Sequence, residues 1–216
     1  MEGSLNEDII PSPIGPHGES KIKAEEYILA KMANNSDRMT CKKVYILRPC
    51  MVHGPGNKGN LNLLFKFVSK GIPWPLGSFD NNRSFTSIDN LSFIIEQIIK
   101  RDIESGIYHI GDDEPLSTNQ LVKLISQSVG KKSHIWNVPK VLVIAFTKMG
   151  DILHLPLNSF RLQKLTENYV VSNNKIKQAL GIDRLPVKAS EGILKTLVSF
   201  RNKKKKNIFD KELENK

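Results

Sequence analysis

Hydrophobic and polar residues alternate along the chain at two spacings, one typical of helices and one typical of strands. Apolar residues interleave with charged ones from residue 20 to about residue 34, which predicts a helix that ends at the polar run 34–37. The apolar run 43–48, stopped by Pro49, predicts a short strand. Further helices are predicted at 61–69, 91–100, 119–129, 173–180 and 189–200, and further strands at 83–88 and 106–111.

Turn-forming and capping residues divide these predicted elements. Glycines, a proline and asparagines mark a loop at 54–60. Gly71 follows the predicted helix 61–69 and is placed to end it. Asp89 and Ser117 each precede an apolar helical pattern. We therefore expect these two residues to cap the helices at 91–100 and 119–129.

The segment 138–157 is an apolar stretch with polar interruptions, too polar for a membrane and long enough for a partly exposed helical arm. The interrupting residues are Lys140, Lys148, Asp151 and His154. Helices and strands alternate along most of the chain, which predicts an α/β fold with a largely parallel sheet. We expect residues 1–19 to be an extended lead-in, 20–200 a core with an interleaved lobe, and 201–216 a basic, flexible tail.

Composition is that of an ordinary globular chain, with 39% hydrophobic and 25% charged residues. The formal net charge is +10, of which the 7 basic and 3 acidic residues of 201–216 supply +4. A terminal lysine run without interleaved aromatic residues is typical of a solvated tail. The charge therefore gives little support to nucleic-acid binding.

Membrane and metal sites are not expected either. No run approaches the ~18 consecutive apolar residues that a membrane span requires, and the first residues are acidic, unlike those of a signal peptide. We therefore expect a cytoplasmic protein that does not use a membrane. Cys41 and Cys50 lack the spacing of a metal site or of a disulfide framework and suit a reducing compartment.

Residues 15–26 carry the most informative pattern of charges. Lys21 falls in the first turn of the predicted helix, where the helix dipole mildly disfavours a cation. His17 precedes it by four residues, so both side chains can point the same way from a helix-entry turn. Taken alone, the pair is weak evidence for a site and favours two solvated side chains.

The same stretch resembles the signature Pro-Tyr-Gly-x-Ser-Lys-x-x-Ala-Glu of the extended short-chain dehydrogenase/reductases, the NAD-dependent sugar-nucleotide epimerases and dehydratases. In that family the Tyr moves the proton of a sugar hydroxyl, and the Lys binds the nicotinamide ribose. The resemblance therefore implies that His17 and Lys21 are catalytic and that Lys21 also binds the cofactor. The matching residues are Pro16, Gly18, Ser20, Lys21, Ala24 and Glu25.

Later segments resemble the same family in the same order, and the likeness spans about residues 9–200. The stretch 47–56 is similar to a family strand and the Tyr-Gly-Pro loop that follows it, with His53 at the Tyr position. This similarity implies that Pro49 binds the cofactor and that Met51 binds the substrate.

Two further segments resemble the nucleotide-binding residues of the family. Asn60 and Leu61 are similar to the Asn-Leu pair that holds the nucleotide diphosphate in UDP-sugar epimerases. Residues 82–90 resemble an element whose Arg, here Arg83, contacts phosphate, and a planar guanidinium can bind two phosphate oxygens at once. The alternative is a surface Arg83 paired with Asp80.

The sequence departs from the family in two ways. Family members begin with a Gly-x-x-Gly-x-x-Gly turn whose backbone holds the dinucleotide pyrophosphate, and the 216 residues contain no such motif. We therefore expect an N-terminally truncated chain, the C-terminal part of a Rossmann-like doubly wound parallel sheet with a small mixed substrate-binding lobe. His17 replaces the Tyr, and although imidazole exchanges protons near neutral pH, its shorter ring argues for weak turnover.

The resemblance implies an NAD- or NADP-dependent UDP-sugar 4-epimerase or 4-ketoreductase-like protein of surface-polysaccharide synthesis, truncated and impaired. It is strongest with the branch of UDP-glucose 4-epimerases and UDP-4-keto-sugar reductases. The alternative is a non-catalytic module that binds nucleotide sugars, or an inactive remnant. An unpaired edge of the strand 43–48 predicts marginal stability or association, as a homodimer or with a completing N-terminal chain.

Overall fold

The computed structural model describes residues 3–13, 15–34, 43–153 and 158–214, and the side chains among them as far as Met32 in the second range and Asn202 in the last. The strands are β1 (Tyr45–Pro49), β2 (Val52–His53), β3 (Thr86–Ser87) and β4 (Gly106–Ile110). The helices are α1 (Pro16–Asn34), α2 (Asn60–Ser69), α3 (Ile88–Lys100), α4 (Thr118–Ser128), α5 (Lys140–Ile152), α6 (Ser159–Thr166), α7 (Asn174–Leu180) and α8 (Ala189–Glu214).

The strands form two parallel pairs. Strand β1 pairs with β4 in a register that runs from Tyr45 opposite Gly106 to Pro49 opposite Ile110. Strand β2 pairs with β3, with Val52 opposite Thr86. Parallel strands joined through helices are the predicted α/β arrangement, which is thereby confirmed. Within the described ranges, no strand pairs with the second edge of β1.

Apolar side chains collect in two clusters, here called the first and second cores. The first core joins α2, α4 and α8, where Phe65 and Phe200 meet edge to face with ring centroids 5.4 Å apart. The second core joins α3, α7 and β4 around Ile94, Ile110 and Ile176, which are fully buried. Each such side chain contributes about 1.5–3 kcal/mol of burial free energy, so the two cores hold the loops of the site in place.

Several predicted elements begin or end elsewhere in the structure. Helix α1 starts four residues before the predicted position of 20, and its first turn carries Glu19, which suits the positive end of the helix dipole. The strand predicted at 83–88 is reduced to Thr86–Ser87. The backbone of Arg83 forms isolated bridges with Leu116 and Tyr169 instead.

The two cap predictions have different outcomes. Ser117 caps α4 in a full capping box with Gln120, as predicted. The prediction for Asp89 is wrong, because Ser87 is the N-cap of α3 and its Oγ accepts a hydrogen bond from Asn90 N at 3.2 Å. Asp89 lies within the first turn and pairs with Lys195 at 2.6 Å.

Helix α5 lies in the segment predicted as a helical arm, 138–157, and helix α8 extends into the segment predicted as a tail, 201–216. Val143, Thr147 and Gly150 of α5 are buried while most of its other residues are exposed, which confirms a partly exposed helical arm. Helix α8 continues to Glu214, and the flexibility expected of 201–216 stays a prediction. Cys41 and His154 lie outside the described residues. No described helix is both long enough and apolar enough to cross a membrane.

Candidate active-site cleft

A cleft of about 510 Å³ opens at the carboxyl ends of β1 and β4. Ligands of open parallel sheets bind outside the carboxyl ends of the strands, so this is the expected place for a site. Helix α1 forms one wall, and the turn after β1 forms the floor. The lining residues that the site uses are Gly18, Lys21, Glu25, Arg48, Pro49, Cys50, His109 and Tyr169.

The N-terminal segment forms the opposite wall of this cleft. Leu5 N donates to Val170 O at 2.8 Å, and Leu5 O accepts from Ser172 N at 2.8 Å, so the segment is held like a short strand. The carboxylate of Glu7 accepts a hydrogen bond from His109 N at 2.7 Å. Residues 5–13 therefore enclose the cleft from the side that faces β4.

An ion pair fixes helix α1 against strand β1. Arg48 Nε donates to Glu25 Oε2 at 3.0 Å, and Arg48 Nη2 donates to Glu25 Oε1. Both side chains are largely buried, and the two parallel contacts fix the orientation of the planar guanidinium. Because Glu25 lies four residues after Lys21, both point to the same face of α1, and the pair places Lys21 on the cleft.

The predicted cofactor residues Lys21 and Pro49 line the same cleft, one from α1 and the other from the end of β1. Lys21 is exposed and lines the cleft, so its ammonium can reach a ligand there. His17 is also exposed, but Gly18 rather than His17 forms the wall at that turn. The hydroxyl of Ser20 donates to His17 O at 2.9 Å, which steadies the first turn of the helix.

Burial shifts the pKa of three groups of the cleft toward their uncharged forms. It lowers the pKa of His109, although the carboxylate of Glu7 acts in the opposite direction. It raises the pKa of the Cys50 thiol to about 12, with a further contribution from Asp112. Burial also raises the pKa of Tyr169. The charged groups that line the cleft are therefore Lys21, Arg48 and Glu25.

Arg83 lies beside the cleft rather than in its wall. Its Nη1 donates to Lys164 O at 2.9 Å, and its Nη2 is 3.8 Å from Glu167 Oε1. In the part of the chain that the structure describes, these contacts replace the alternative pairing with Asp80. The Nε of Arg83 is buried without a partner, so the guanidinium keeps an unused donor. Its backbone bridge to Tyr169 joins it to the cleft wall.

The other predicted substrate residues lie apart from the cleft lining. Leu61 is 6% exposed in the first core, and Met51 packs against that core, so Leu61 can offer a ligand only its backbone. Asn60 is exposed at the first residue of α2. The N-cap of α2 is Gly59, which has no side chain to cap the helix, and the first N–H groups of a helix attract anions.

His53, which stands at the Tyr of the family's Tyr-Gly-Pro loop, is a buried structural residue. Its Nδ1 lies 3.0 Å from Thr196 Oγ1, and its Nε2 lies 3.7 Å from Asp112 Oδ2. Asp112 also accepts hydrogen bonds from Ser87 and from Asn90 Nδ2 at 2.7 Å. This network ties β2, β3 and α8 together beneath the cleft. Among the described residues, no group of His, Cys, Asp or Glu side chains could hold a metal ion.

Sequence reasoning missed the roles of Glu25, Arg48, His109 and Tyr169 in shaping the cleft. Glu25 belongs to the quoted motif, but its partner Arg48 is 23 residues away, and no spacing rule links them. His109 reaches the cleft through the pairing of β4 with β1, and Tyr169 through backbone hydrogen bonds with Asn82 and Ser84. Arg48 lies opposite His109 because Tyr45 pairs with Gly106, and the predicted ranges 43–48 and 106–111 do not fix this register.

A family model and two curated relatives match the chain. The model of the 3-beta hydroxysteroid dehydrogenase/isomerase family matches residues 2–140. The chain is 30% identical over 191 residues to UDP-glucose 4-epimerase of Vibrio cholerae, which covers 88% of the chain and 55% of the relative. It is 29% identical over 169 residues to N-acetyl-alpha-D-glucosaminyl-diphospho-ditrans,octacis-undecaprenol 4-epimerase of Escherichia coli O157:H7, covering 77% and 47%.

Solved structures share the fold over most of the chain. UDP-glucose 4-epimerase of Thermotoga maritima, solved with UDP-glucose, matches with a TM-score of 0.61 at 23% identity, covering 92% of this chain and 57% of that one. UDP-glucose 4-epimerase of Thermus thermophilus, solved with NAD, matches with a TM-score of 0.63 at 22% identity, covering 93% and 59%. The chain spans about half the length of the curated relatives it matches. It belongs to the 3-beta hydroxysteroid dehydrogenase/isomerase family, which confirms the predicted extended short-chain dehydrogenase/reductase membership.

Proposed function

We propose that this chain forms the sugar-nucleotide-binding part of an NAD- or NADP-dependent 4-epimerase or 4-ketoreductase that acts on UDP-sugars. One observation carries the proposal: Lys21 and Pro49, which the family resemblance assigns to the cofactor, line the same cleft at the carboxyl ends of β1 and β4. A volume of about 510 Å³ is within the range of small-molecule sites, about 300–1,000 Å³.

The cofactor assignment concerns the nicotinamide end of NAD. When bound, NAD accepts the hydride removed from the sugar and returns it. The residues present fit that end, because the exposed Lys21 ammonium faces an enclosed cleft and can donate to ribose hydroxyls, while Pro49 offers an apolar edge. The pyrophosphate end is assigned to no residue of this chain, since its glycine-rich turn is missing from the sequence.

We assign the acid/base role to His17, which occupies the position of the Tyr in the family's Pro-Tyr-Gly-x-Ser-Lys signature. An imidazole can take a proton from a sugar hydroxyl and return it at the same nitrogen. His17 is exposed and lies one turn before Lys21, whereas Gly18 forms the adjacent wall. A substrate must therefore bring its hydroxyl to the rim of the cleft, which supports impaired turnover.

The nucleotide contacts go to Met51, Asn60, Leu61 and Arg83. The exposed amide of Asn60 and the backbone N–H of Leu61 stand at the N-terminus of α2, where the helix dipole favours a diphosphate. Arg83 has an unpartnered Nε and a distant ion pair with Glu167 at 3.8 Å. A phosphate oxygen can replace that carboxylate as its partner.

A second candidate function is a module that binds nucleotide sugars without catalysis. The observation that favours it is the imidazole of His17 at the position of the family's phenol, outside the lining of the cleft. The same nucleotide contacts would operate in this case. The two functions differ in whether NAD binds and whether a hydride moves.

Calorimetric titration of the full chain with NAD and, separately, with UDP-glucose tests the proposal. We expect both to bind and Lys21→Ala to weaken NAD binding about tenfold, the loss of one charge-assisted hydrogen bond. Lys23→Ala, two residues along the same helix and equally exposed, is the matched control and should bind as the parent does. Binding of UDP-glucose alone would select the non-catalytic module. Binding of neither ligand would refute both functions.

A further inference from the structure

Two adjoining hollows lie at the carboxyl ends of helices α2 and α4, at the opposite end of α2 from Asn60. One has a volume of about 320 Å³ and the other of about 440 Å³, and they share Ser126, Lys131 and Lys132. We call the two together the basic hollow. Its lining has no residue in common with the cleft beside Lys21, so a ligand of the basic hollow is a second ligand.

The segments that build the basic hollow carry charge of one sign. Residues 57–79 contain three lysines and residues 115–150 contain five, and neither range contains Asp or Glu. Among the residues that the structure describes, no carboxylate lines either part of the hollow. A concave surface of one sign concentrates ions of the opposite sign. The hollow therefore attracts anions.

Two cations offset the negative ends of the helices that meet at the hollow. Lys131 Nζ donates to Ser69 O at 2.9 Å, at the end of α2. Arg201 Nη1 donates to Ser128 O at 3.2 Å, at the end of α4. The last carbonyl groups of a helix disfavour an anion, and a cation bound to them reduces that effect. Other lysines of the hollow then remain for a ligand.

A buried hydroxyl lies between these free lysines. Ser126 is 3% exposed and lines both parts of the hollow, yet its hydroxyl forms no hydrogen bond within the described residues. Buried polar side chains are normally hydrogen-bonded, so this hydroxyl is a donor that lacks its partner. Lys123 and Lys132 line the hollow beside it, both exposed and without an ion pair in the described ranges. A hydroxyl and two ammonium groups are suitable donors for a phosphate group.

The loop that carries Lys132 is fixed at both ends before a ligand arrives. Lys131 N donates to Ser126 O at 2.9 Å, and His134 O accepts a hydrogen bond from Trp74 N at 2.8 Å. A loop already held in one conformation loses little conformational entropy when a ligand binds.

We propose that the basic hollow binds a small phosphate monoester. Ser126, Lys123 and Lys132 contact its phosphate group, and the uncharged part packs on Val68 and Val122, which line the smaller part of the hollow. That volume, about 320 Å³, is at the lower limit of small-molecule sites, about 300–1,000 Å³. The ligand is therefore smaller than a dinucleotide.

Backbone amide NMR of the ¹⁵N-labelled full chain, titrated with phenyl phosphate at constant ionic strength, tests this proposal. We expect saturable shifts at Gly71, Ser126, Lys131 and Lys132. Inorganic phosphate should shift the same amides with an affinity at least about fivefold lower, because it lacks the apolar part. Ser126→Ala and Lys132→Gln should each weaken binding about tenfold, the loss of one hydrogen bond to a charged group.

Lys148→Gln is the matched control, because Lys148 is exposed on α5 outside the lining of the hollow and the variant removes the same charge as Lys132→Gln. This variant should bind phenyl phosphate as the parent chain does. Calorimetric titration with UDP-glucose should give the same result for the parent and for Lys132→Gln, so failure of the hollow and failure of the proposed function are separate results.

Four results would overturn the proposal. The first is the absence of saturable shifts at the amides of the hollow. The second is equal binding by the parent, Ser126→Ala and Lys132→Gln. The third is an equal loss of binding in Lys148→Gln, which would indicate a general effect of charge. The fourth is inorganic phosphate binding as tightly as phenyl phosphate.

Discussion

Arg48 at the end of β1 holds Glu25 on helix α1 through two parallel contacts, one of them 3.0 Å from Nε to Oε2. This pair connects strand β1, whose carboxyl end borders the cleft, with the helix that carries Lys21. Its strength therefore decides whether the predicted cofactor lysine stays on the cleft.

Loss of this ion pair should destabilise the chain. Glu25→Ala leaves Arg48 partly buried without its carboxylate partner, with Nη1 3.4 Å from His109 Nε2, so we expect a loss of about 1.5–3 kcal/mol in the free energy of unfolding. Urea unfolding measures it. Glu26→Ala changes an exposed carboxylate one residue along the same helix and should change the free energy of unfolding by less than about 0.5 kcal/mol. Equal effects of the two variants would show that the pair contributes nothing.

Stability should depend on pH through His109. Because burial holds the pKa of His109 below the ordinary value of 6.5, the unfolded chain binds a proton more readily than the folded one. Stability should therefore be complete above pH 6.5 and fall as the pH drops below it. Urea unfolding across this range should show the slope, and His109→Gln should flatten it.

His134→Gln supplies the control for this measurement, since His134 is exposed. The variant should keep the slope of the parent chain. Asp113, whose pKa is lowered by hydrogen bonds from Leu185 N, Lys177 and Asn173 against the effect of burial, loses its contribution only below its ordinary value of 3.8. The pH range in which Asp113 changes the stability therefore lies below the range in which His109 does. A parent chain with no slope between neutral pH and pH 5 would contradict the assignment to His109.

The unpaired edge of β1 should promote association. Helix α1 adds Tyr27, Ile28 and Leu29, which are exposed, so the chain presents an open strand edge and an apolar helix face. We expect the sedimentation mass to rise with concentration, and Ile28→Glu/Leu29→Glu to reduce the associated fraction, whereas Ile99→Glu does not. A cooperative, concentration-independent melt of a monomer would contradict this expectation.

Local sequence rules predicted the elements that local interactions determine. Ser117 caps α4 as predicted, because its partner, the backbone N–H of Gln120, lies in the same turn. Asp89 was a wrong choice because Ser87 lies at the β3–α3 junction, where its hydroxyl can also reach Asp112 at 3.3 Å. That second contact spans 25 residues, and only the folded chain brings it together.

Tertiary contacts also decide which of the predicted site residues line the cleft and which lie elsewhere. Lys21 and Pro49 line one cleft because the pairing of β1 with β4 sets the end of the strand beside α1. Leu61 is in the first core, because the apolar spacing of α2 turns its side chain inward. Arg83 contacts Lys164 O and Glu167, which approach it from α6 and the residue after it. No spacing in the sequence could predict those partners.

The most direct test of the central claim is to locate the nucleotide sugar on the chain. Backbone amide NMR shifts of the ¹⁵N-labelled chain during titration with UDP-glucose report that location. The account predicts that the largest changes occur at Gly18, Lys21 and Cys50, which line the cleft, and at Asn60 at the start of α2. Changes confined to the basic loop 131–134, with the cleft unchanged, would contradict it.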